Sequence, residues 1–318
     1  MALFLAENDV RQVLTATMAL EAVESAHRDL ALGQAQDTPR ARTRLPQTVL
    51  HILQGALPAQ GVIGYKAYTT NRSGNRFLVH LFDAASGSLL AVIEADYLGM
   101  IRTGAASGVA ARWLARPDAS VAGVFGAGWQ AEGHVLGICA AMPLELVKVF
   151  SRNAEKLRAF CERLSGMTGV AVVPAASAED AVRGSDLIGT VTTATQPLFD
   201  AEWLEPGTHI NAAGSNALIR QELPEAALRR SAVVAVDAVP TALAEAGDLL
   251  PLLEKGRLHA RQLVELGDVI IGRHVGRTAA DQVTVFESQG MAIQDLAVAL
   301  RVVAAARERG LGVELPLQ

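Results

Sequence analysis

The chain has 318 residues, half of which are hydrophobic, and this is enough to build a large buried core and predicts two domains. Its 33 acidic and 28 basic residues give a formal net charge of −5, which argues against a basic, nucleic-acid-binding surface. Charged residues enter the first ten positions and interrupt every long apolar run, so we expect no signal peptide, no membrane contact and a cytoplasmic location. The 2 cysteines and 7 histidines lack the spacing of metal ligands, and no metal site is expected.

The first third of the chain is predicted to be one helix followed by antiparallel strands. Residues 15–33 have apolar side chains at helical spacing, with Leu20, Val23 and Leu30 on one face. A stretch rich in threonine and arginine, residues 38–45, comes next. Short apolar runs separated by glycine, asparagine and serine then predict strands at 48–53, 61–68, 77–82 and 89–94.

Residues 121–136, VAGVFGAGWQAEGHVL, have the pattern of a strand, a tight turn and a helix start. The apolar run ends at Gly126-Ala127-Gly128, where the first glycine permits the turn and the second lets the backbone approach a pyrophosphate. Ala131 takes the third small position, where helix and strand pack closely. The helix N-terminus offers N–H groups and a positive dipole end to phosphates. This pattern predicts a dinucleotide-binding βαβ unit.

The next predicted strand, residues 146–150, ends at Ser151-Arg152-Asn153. A site selective for NAD(H) usually places an acid near this point to bind the ribose 2′-hydroxyl, and this sequence has none there. Arg152 could instead stack on the adenine and pair with a 2′-phosphate, which favours NADP(H) over NAD(H). A solvated arginine at a helix start would have the same sequence signature.

The remaining pattern predicts a parallel α/β sheet and a final helix. Strands and helices alternate between about residues 120 and 283, with strands expected at 187–191, 209–212 and 233–237. Residues 291–309 have apolar side chains at helical spacing and could return to the first domain. We therefore expect an α/β protein: a Rossmann-like dinucleotide-binding domain at 116–288, and an α+β domain formed by 1–115 and 289–318.

Several segments along nearly the whole chain resemble the ornithine cyclodeaminase/mu-crystallin family. They are GYK at 64–66, IRTGAAS at 101–107, GAGWQA at 126–131, NAAG at 211–214, EAGD at 245–248 and VTVFESQGMAIQDLAVA at 283–299. The resemblance implies a homodimer whose N-terminal domain binds substrate and dimerises, together with the Rossmann-like domain. It also implies an activity among those of cyclodeaminases, alanine dehydrogenases and reductases of cyclic or linear imino acids.

The resemblance assigns Arg40, Lys66 and Arg102 by position to a cluster that binds a substrate carboxylate. Arginine suits this role because its planar fork of donors fixes the orientation of a carboxylate. Lys66 could hold the same carboxylate or polarise an imine nitrogen, and neighbouring cations would lower its pKa. From the residues alone, Arg40 could equally be a solvated loop residue and Arg102 part of a helix-start salt bridge.

The cofactor is expected to lie at the carboxyl ends of the parallel strands. Ser288 is expected to close over the nicotinamide. The residues predicted to contact the cofactor are Arg102, Thr103, Gly126, Ala127, Gly128, Trp129, Gln130, Ser151, Arg152, Asn153, Thr192, Thr193, Ala213, Gly214 and Ser288.

Two positions depart from the pattern of the cyclodeaminases. Asn216 stands where they place an aspartate, and an amide cannot act as a general base, although it can hydrogen-bond to a substrate or a water. Ser-Asn after glycine is also ordinary turn chemistry. His51 stands where an acid would bind the δ-amine of ornithine. Both departures favour an anionic substrate tail over a cationic one.

We therefore expect an NAD(P)H-dependent reductase that converts a small imino acid to an L-amino acid, with Lys66, Arg40, Arg102 and Asn216 as catalytic residues. His51 joins the first three in binding substrate, and Lys66 or a water would protonate the imine nitrogen. If any of the basic residues Arg42, Arg44, Arg72 and Arg76 faces the pocket, a dicarboxylic substrate is favoured, as in iminosuccinate giving aspartate. Two alternatives stay open: an ornithine or lysine cyclodeaminase that recycles NAD+, and a non-catalytic NADPH- or ligand-binding protein.

Overall fold

A computed structural model of the chain describes residues 2–316. The first elements in chain order are β1 (Ala2–Leu5), α1 (Glu7–Val13), α2 (Ala16–Ala31), β2 (Gln36–Arg44), β3 (Thr48–Leu57), β4 (Val62–Asn71), β5 (Gly74–Asp83), β6 (Leu89–Glu94) and α3 (Asp96–Leu114). They are followed by β7 (Val121–Phe125), α4 (Trp129–Ala141), β8 (Leu146–Phe150), α5 (Ala154–Thr168), β9 (Ala171–Pro174), α6 (Ala178–Val182), β10 (Leu187–Thr190) and β11 (His209–Ala212). The last are α7 (Glu225–Arg230), β12 (Ser231–Val236), α8 (Val239–Glu245), α9 (Leu250–Glu254), β13 (Leu263–Glu265), α10 (Leu266–Ile270), β14 (Val283–Glu287), α11 (Ala292–Glu308) and β15 (Val313–Leu315).

The chain divides into two compact units. One comprises the residues up to Arg102 and those from Gly290 onward, and the other is Thr103–Gln289. The second boundary lies within one residue of the predicted 288/289. The first lies inside α3 and not after residue 115, because α3 runs from Asp96 to Leu114 without a break and most of its length belongs to the second unit.

The first unit contains a seven-stranded sheet in the order β15-β1-β6-β5-β4-β3-β2. All neighbouring strands are antiparallel except β1 and β6, which agrees with the predicted antiparallel region. The threonine- and arginine-rich stretch proves to be the edge strand β2. Its pairing with β3 shifts register between Thr38 and Ala41, so Pro39 and Arg40 form an irregularity in the edge, where a proline is tolerated.

Helix α11 packs against one face of this sheet, and two glycines allow the close approach. A Cβ on Gly55 would lie 2.9 Å from Cγ2 of Ile293, and one on Gly64 would lie 3.0 Å from Cδ2 of Leu296. The covered face also carries Leu53, Leu57, Val79 and Leu81, all buried. The opposite side of α11 packs against α2. The N-terminal turn of α11 is thereby placed over the middle of the sheet.

The second unit contains an eight-stranded parallel sheet in the order β13-β12-β14-β11-β10-β7-β8-β9. From β7 the chain proceeds outward through β8 and β9, then returns to β10 on the other side of β7 and continues to β11. Strands β12 and β13 form the outer edge, and β14 returns to lie between β11 and β12. The order therefore reverses between β7 and β10, as in a Rossmann-like fold, where ligands bind outside the carboxyl ends of the strands. The strands predicted at 121–125, 146–150 and 209–212 have the observed bounds.

Helices α3 and α4 cross at glycines within the second unit. A Cβ on Gly104 would collide with the carbonyl of Gly133, and one on Gly137 would collide with the carbonyl of Gly104. The small residues therefore let the two backbones touch. Within residues 2–316, no helix combines the length and apolar character needed to cross a bilayer.

Candidate active site

A buried charged triad, Lys66, Arg102 and Asp295, lies at the centre of the first unit. The Lys66 Nζ donates to Asp295 Oδ1 over 2.9 Å, and Arg102 Nε donates to the same oxygen over 3.0 Å. The side chains of Lys66, Arg102 and Asp295 are 4%, 8% and 0% exposed. Each comes from a different element, β4, α3 and α11, so the fold assembles the triad from distant parts of the chain. Two of the three predicted carboxylate-binding residues are thus adjacent.

The triad holds two cations against one carboxylate, and within it the pKa of Lys66 is lowered to about 8. Burial is the largest cause, because a desolvated ammonium loses its proton more readily. Asp295 opposes this change, while the Arg102 and Arg40 guanidinium groups add to it. The expected tuning by neighbouring cations is therefore present, with burial as the stronger effect. Lys66 can gain and lose a proton near neutral pH.

Arg40 lies in the irregular part of β2 and not in a loop. Its guanidinium is close enough to lower the pKa of both Lys66 and His51. Arg40, the remaining predicted cation, therefore lies within electrostatic range of Lys66. The solvated-loop interpretation of Arg40 is wrong, because the residue is half-buried in a strand.

His51 is close to the cluster but carries no charge near neutral pH. Burial, followed by Arg40, Arg42 and Arg44, lowers its pKa to about 4. Its ring stacks on Tyr68 with centroids 4.2 Å apart, and its Nε2 is 3.2 Å from the hydroxyl of Thr70. His51 is therefore a neutral hydrogen-bonding ring, and the additional positive charge of this region comes from the arginines.

The sheet face that carries Lys66 continues past α11 as a row of aromatic and basic residues. His51 pairs across the strands with Tyr68 and Arg42, and Tyr68 pairs with Phe77. Opposite residues on neighbouring strands share a face, and so do residues two apart on one strand, such as Lys66 and Tyr68. The Tyr68 and Phe77 rings are stacked, 4.9 Å apart. Lys66 Nζ lies 5.3 Å from the centroid of Phe77.

The other basic candidates differ in position. Arg44 pairs with Val49 on the same face as Lys66. Arg76 pairs with Thr69, so it lies on the opposite face, and Arg72 lies in the exposed turn between β4 and β5. Only Arg42 and Arg44 among the four therefore share the sheet face of Lys66.

The glycine turn of the second unit fits a dinucleotide. Gly126 has φ +115°, and a Cβ there would lie 2.7 Å from the carbonyl oxygen of Val191, so only glycine is accommodated. A Cβ on Gly128 would meet no protein atom within 4 Å, which leaves open space above the backbone. Gly128 is the N-cap of α4, and no side chain caps this helix. Ala127, Trp129 and Gln130 lie in the same turn and first helical residues, and this turn and helix end are suited to a pyrophosphate.

The residues predicted to contact the adenosine end follow β8. Ser151 is half-buried, while Arg152 and Asn153 are exposed. The side chain of Asn153 accepts a hydrogen bond from the Lys156 amide and so caps α5. Arg152 extends from the carboxyl end of a strand next to β7, which is where a 2′-phosphate would be recognised.

Glu222 accepts hydrogen bonds from the loops that follow two further parallel strands. Sequence analysis did not identify this residue. Its Oε1 accepts from the Thr192 amide over 2.5 Å, and its Oε2 accepts from the Gly214 amide over 2.8 Å. Burial raises the pKa of this carboxyl group. Thr193, exposed, and Ala213, half-buried, lie in the same two loops. The loops after β10 and β11 are thereby joined by one side chain.

Asp237 has the same function for the loop after β14. Its Oδ2 accepts from the Ser288 hydroxyl over 3.0 Å and from the Gln289 amide over 2.7 Å. Ser288 is buried, and its hydroxyl is directed to this carboxylate. Nearby, burial and the Asp248 charge raise the pKa of Glu287 well above its ordinary value. Glu287 accepts a hydrogen bond from the Ser215 hydroxyl.

The other predicted residues are distributed between the units. Asn216 is half-buried in the loop after β11, one residue beyond Ser215. Thr103 is half-buried on α3 and begins the second unit. Arg102, predicted also as a cofactor contact, belongs to the first unit, where it bonds to Asp295 and Gln294. Asp295 was missed as well, although a buried acid among the apolar residues of α11 is a signal that sequence analysis can use.

Comparison with known proteins agrees with this architecture. The profile of the ornithine cyclodeaminase/mu-crystallin family matches residues 2–310. A Δ1-pyrroline-2-carboxylate reductase of Bacillus cereus is 39% identical over 236 residues, which cover 74% of this chain and 72% of that protein.

Solved structures extend the comparison to the fold. The Thermococcus litoralis Δ1-pyrroline-2-carboxylate reductase in complex with NADH and L-proline superposes with a TM-score of 0.94 at 28% identity, covering 98% of this chain and 100% of that one. The iminosuccinate reductase of Paracoccus denitrificans in complex with NAD+ gives a TM-score of 0.92 at 28% identity and 99% coverage of both chains. With its α/β second unit, its glycine turn and a profile match along almost its whole length, the chain belongs to the ornithine cyclodeaminase/mu-crystallin family.

Proposed function

We propose that this protein is an NAD(P)H-dependent reductase that converts a small imino acid to the corresponding L-amino acid. The observation that carries the proposal is the buried triad, in which Lys66 and Arg102 share one acidic partner, Asp295. The triad has one positive charge in excess, and Arg40 adds another nearby. Desolvated cations attract an anion strongly, and the α-carboxylate of an imino acid has the charge and planar shape for this site.

The charged residues of the site in the first unit have separate roles in the proposed reaction. Arg102 and Arg40 bind and orient the carboxylate, while Lys66, protonated below about pH 8, donates a proton to the imine nitrogen. When bound by the second unit, a reduced nicotinamide would supply the hydride for the imine carbon, and this hydride together with one proton converts C=N to CH–NH. Asp295 holds Lys66 and Arg102 in place and is not consumed. Orientation of the reacting atoms about 3–3.5 Å apart provides much of the rate acceleration.

The cofactor is held by the second unit through the turn 126–128, the N-terminus of α4 and the loops fastened by Glu222 and Asp237. Gly128 supports this assignment, because its open face admits a pyrophosphate. The reductases named above were solved with NADH or NAD+. Arg152 favours NADP(H) in this chain, since no acid stands at the carboxyl end of β8 to bind a ribose 2′-hydroxyl.

A dicarboxylic imino acid such as iminosuccinate is the favoured substrate within this class. Arg42 and Arg44 lie on the face of Lys66, and both are close enough to lower the pKa of His51. A second carboxylate at the far end of the substrate would meet these guanidinium groups. The α-carboxylate of a cyclic imine such as pyrroline-2-carboxylate would use only the triad and Arg40, with the ring against Tyr68 and Phe77.

Two other functions predict different results. A cyclodeaminase would place the ω-ammonium of ornithine or lysine in the site, where the arginines would repel it, and it would need an acid where Asn216 stands. A non-catalytic binder would retain NADPH without turnover.

We also propose that the protein is a homodimer formed through the sheet of the first unit. The face opposite α11 carries Ile63, 48% exposed, and Leu50 and Leu78, each 37% exposed. Tyr65 and Phe82 lie beside them, with ring centroids 6.1 Å apart. A contiguous apolar face of this kind is typical of an interface.

The test is oxidation of NADH and NADPH by the purified protein, followed by the absorbance of the reduced nicotinamide. The substrates are oxaloacetate, pyruvate and glyoxylate with ammonia or methylamine, Δ1-pyrroline-2-carboxylate and Δ1-piperideine-2-carboxylate. We expect turnover on at least one imine, and its loss in Arg102→Gln and Lys66→Gln. Ammonia release from ornithine at a comparable rate would support the cyclodeaminase, and tight NADPH binding without turnover would support the binder.

A further inference from the structure

Gln294 links the carboxylate-binding Arg102 to a buried histidine that the reaction above does not use. Arg102 Nη1 donates to Gln294 Oε1 over 3.0 Å, and the Met291 amide donates to the same oxygen over 3.3 Å. On the other side of the amide, Gln294 Nε2 lies 3.0 Å from Nε2 of His27. His27 lies on α2 and is fully buried.

The chemistry of these groups fixes the direction of each hydrogen bond. A guanidinium and a backbone N–H can only donate, so both bonds from Arg102 and Met291 must end on the carbonyl oxygen of Gln294. The amide NH₂ is then the group that faces His27, and His27 Nε2 must accept. An imidazole that accepts at Nε2 is neutral and carries its proton on Nδ1. An imidazolium at this place would put N–H against N–H and would turn the amide away from Arg102.

We propose that His27 is a positioning residue for Arg102, acting through Gln294, and the proposal rests on the proposed role of Arg102 in binding the substrate carboxylate. Asp295 fixes only the Nε edge of the guanidinium. The bond to Gln294 fixes the Nη1 edge, and Gln294 itself is held by His27. Two hydrogen bonds therefore fix the plane of the guanidinium. This plane determines whether a carboxylate can form two parallel hydrogen bonds with the guanidinium. His27 is thereby a determinant of affinity for the imino acid and not for the dinucleotide.

The test compares His27→Phe with His27→Gln. Phenylalanine fills the volume of the ring without an acceptor, whereas the glutamine Oε1 can accept near the position of Nε2. We expect His27→Phe to raise KM for the preferred imino acid about tenfold, because a buried amide N–H loses its acceptor. We expect the same loss for Kd of pyrrole-2-carboxylate, an unreactive planar carboxylate. His27→Gln should recover most of it, and Kd for the reduced nicotinamide cofactor should change less than twofold in both variants.

The control is Val23→Ala, which shortens a fully buried side chain one turn earlier on α2 and leaves the hydrogen bonds between His27, Gln294 and Arg102 intact. A second readout is independent of activity: ¹⁵N spectra of histidine-labelled protein, with the His27 resonances assigned by their loss in His27→Gln. We expect a neutral ring protonated on Nδ1 at pH 7.

Each outcome decides the proposal. An Nε2–H tautomer or an imidazolium at His27 overturns it. An active wild type in which His27→Phe leaves KM unchanged, or changes it no more than Val23→Ala does, also overturns it while the reductase function stands. A wild type that reduces no imine and binds no carboxylate overturns the reductase function and, with it, the role of His27 toward a substrate, even if the tautomer is Nδ1–H.

Discussion

Lys66 is the residue whose protonation should govern the pH dependence of the reaction. Its pKa is lowered to about 8, so it is charged below that pH and neutral above it. Reduction of an imine needs the proton, and therefore kcat/KM should fall as the pH rises through about 8. Oxidation of the amino acid needs the neutral amine and should show the reverse trend. The measurement is kcat/KM in both directions between pH 6 and 10.

Lys66→Arg is the matched variant for this profile. Arginine keeps the positive charge and does not lose its proton between pH 6 and 10, so the fall near pH 8 should disappear together with most of the rate. A fall near pH 8 that persists in Lys66→Arg would assign the titration to another group. His51 is not that group, because its pKa is lowered to about 4 and the ring is neutral throughout the range.

Arg42 should distinguish dicarboxylic from monocarboxylic substrates. Its partner across the strands is His51, on the face of Lys66. Arg42→Gln should lower kcat/KM for iminosuccinate about tenfold or more, since a charge-assisted hydrogen bond contributes roughly 1.5–3 kcal/mol. The imine of pyruvate should be affected less than threefold. Arg76→Gln is the control, because Arg76 lies on the opposite face. Equal losses for both substrates would remove the argument for a second carboxylate.

At the scale of the elements, the loops after three parallel strands depend on buried carboxylates. Glu222 joins the loops after β10 and β11 through two backbone amides. Glu222→Gln replaces one accepting oxygen with an NH₂ that faces an N–H. We expect Kd for NADPH or NADH to rise about tenfold, because one amide loses its acceptor in a buried place. The measurement is a titration followed by nicotinamide fluorescence.

The control for this prediction is Glu225→Gln. Glu225, three residues after Glu222 in the sequence, forms an exposed ion pair with Arg257, and the loss of this pair should leave cofactor affinity unchanged. Equal affinity in Glu222→Gln and the wild type would show that the loops hold their shape without this carboxylate. A comparable rise in KM for the imino acid is not expected, because we propose that the first unit binds that substrate.

The loop after β8 should decide between the two cofactors. Arg152 is exposed at the carboxyl end of this strand and has no acid beside it in Ser151-Arg152-Asn153. Arg152→Ala should weaken NADPH binding about tenfold or more while NADH binding changes little, since only NADPH carries a 2′-phosphate that Arg152 can pair with. Arg158→Ala, on the exposed side of α5, is the control. A wild type that already prefers NADH would contradict the assignment before any variant is made.

How far the sequence predicted these elements depends on their burial. Parallel strands such as β7, β8 and β11 are buried, so they read as short apolar runs with sharp ends. The edge strand β2 is polar and contains Pro39, and neither property marks a strand. For the same reason, the resemblance assigned a role to Arg40, but sequence analysis did not assign this residue to a strand. Glu222 and Asp237 could not be predicted as partners of loop amides, because those bonds exist only after the strands align.

For the triad as well, sequence motifs identified residues but not the contacts between them. Lys66 and Arg102 were identified from motifs, but their shared partner Asp295 is 229 residues from Lys66 in sequence. A pair at that separation depends on α11 packing against the sheet through Gly55 and Gly64. The charge balance of the site, and hence the lowered pKa of Lys66, follows from this packing. Neither could be obtained from residue types alone.

At the scale of the whole molecule, the exposed sheet face predicts the oligomeric state. The face consists of apolar and aromatic side chains from β3, β4 and β5, with Ile63 and Tyr65 near its centre. A monomer would expose these side chains to water at a cost of about 25 cal/mol for each Å² of apolar surface. A second copy of the chain would cover them with an identical face, as in an interface with twofold symmetry.

Ile63→Asp should therefore convert a dimer to a monomer. A carboxylate on β4 would be buried against the partner without a counter-charge, and this desolvation is costly enough to separate the subunits. Ile63→Ala is the control, since it removes apolar area but adds no charge and should weaken the dimer only modestly. Light scattering coupled to size-exclusion chromatography gives the mass of each species, against 33.4 kDa for one chain. A wild type that elutes as a monomer at micromolar concentration, or an Ile63→Asp variant that remains dimeric, would show that this face is not the interface.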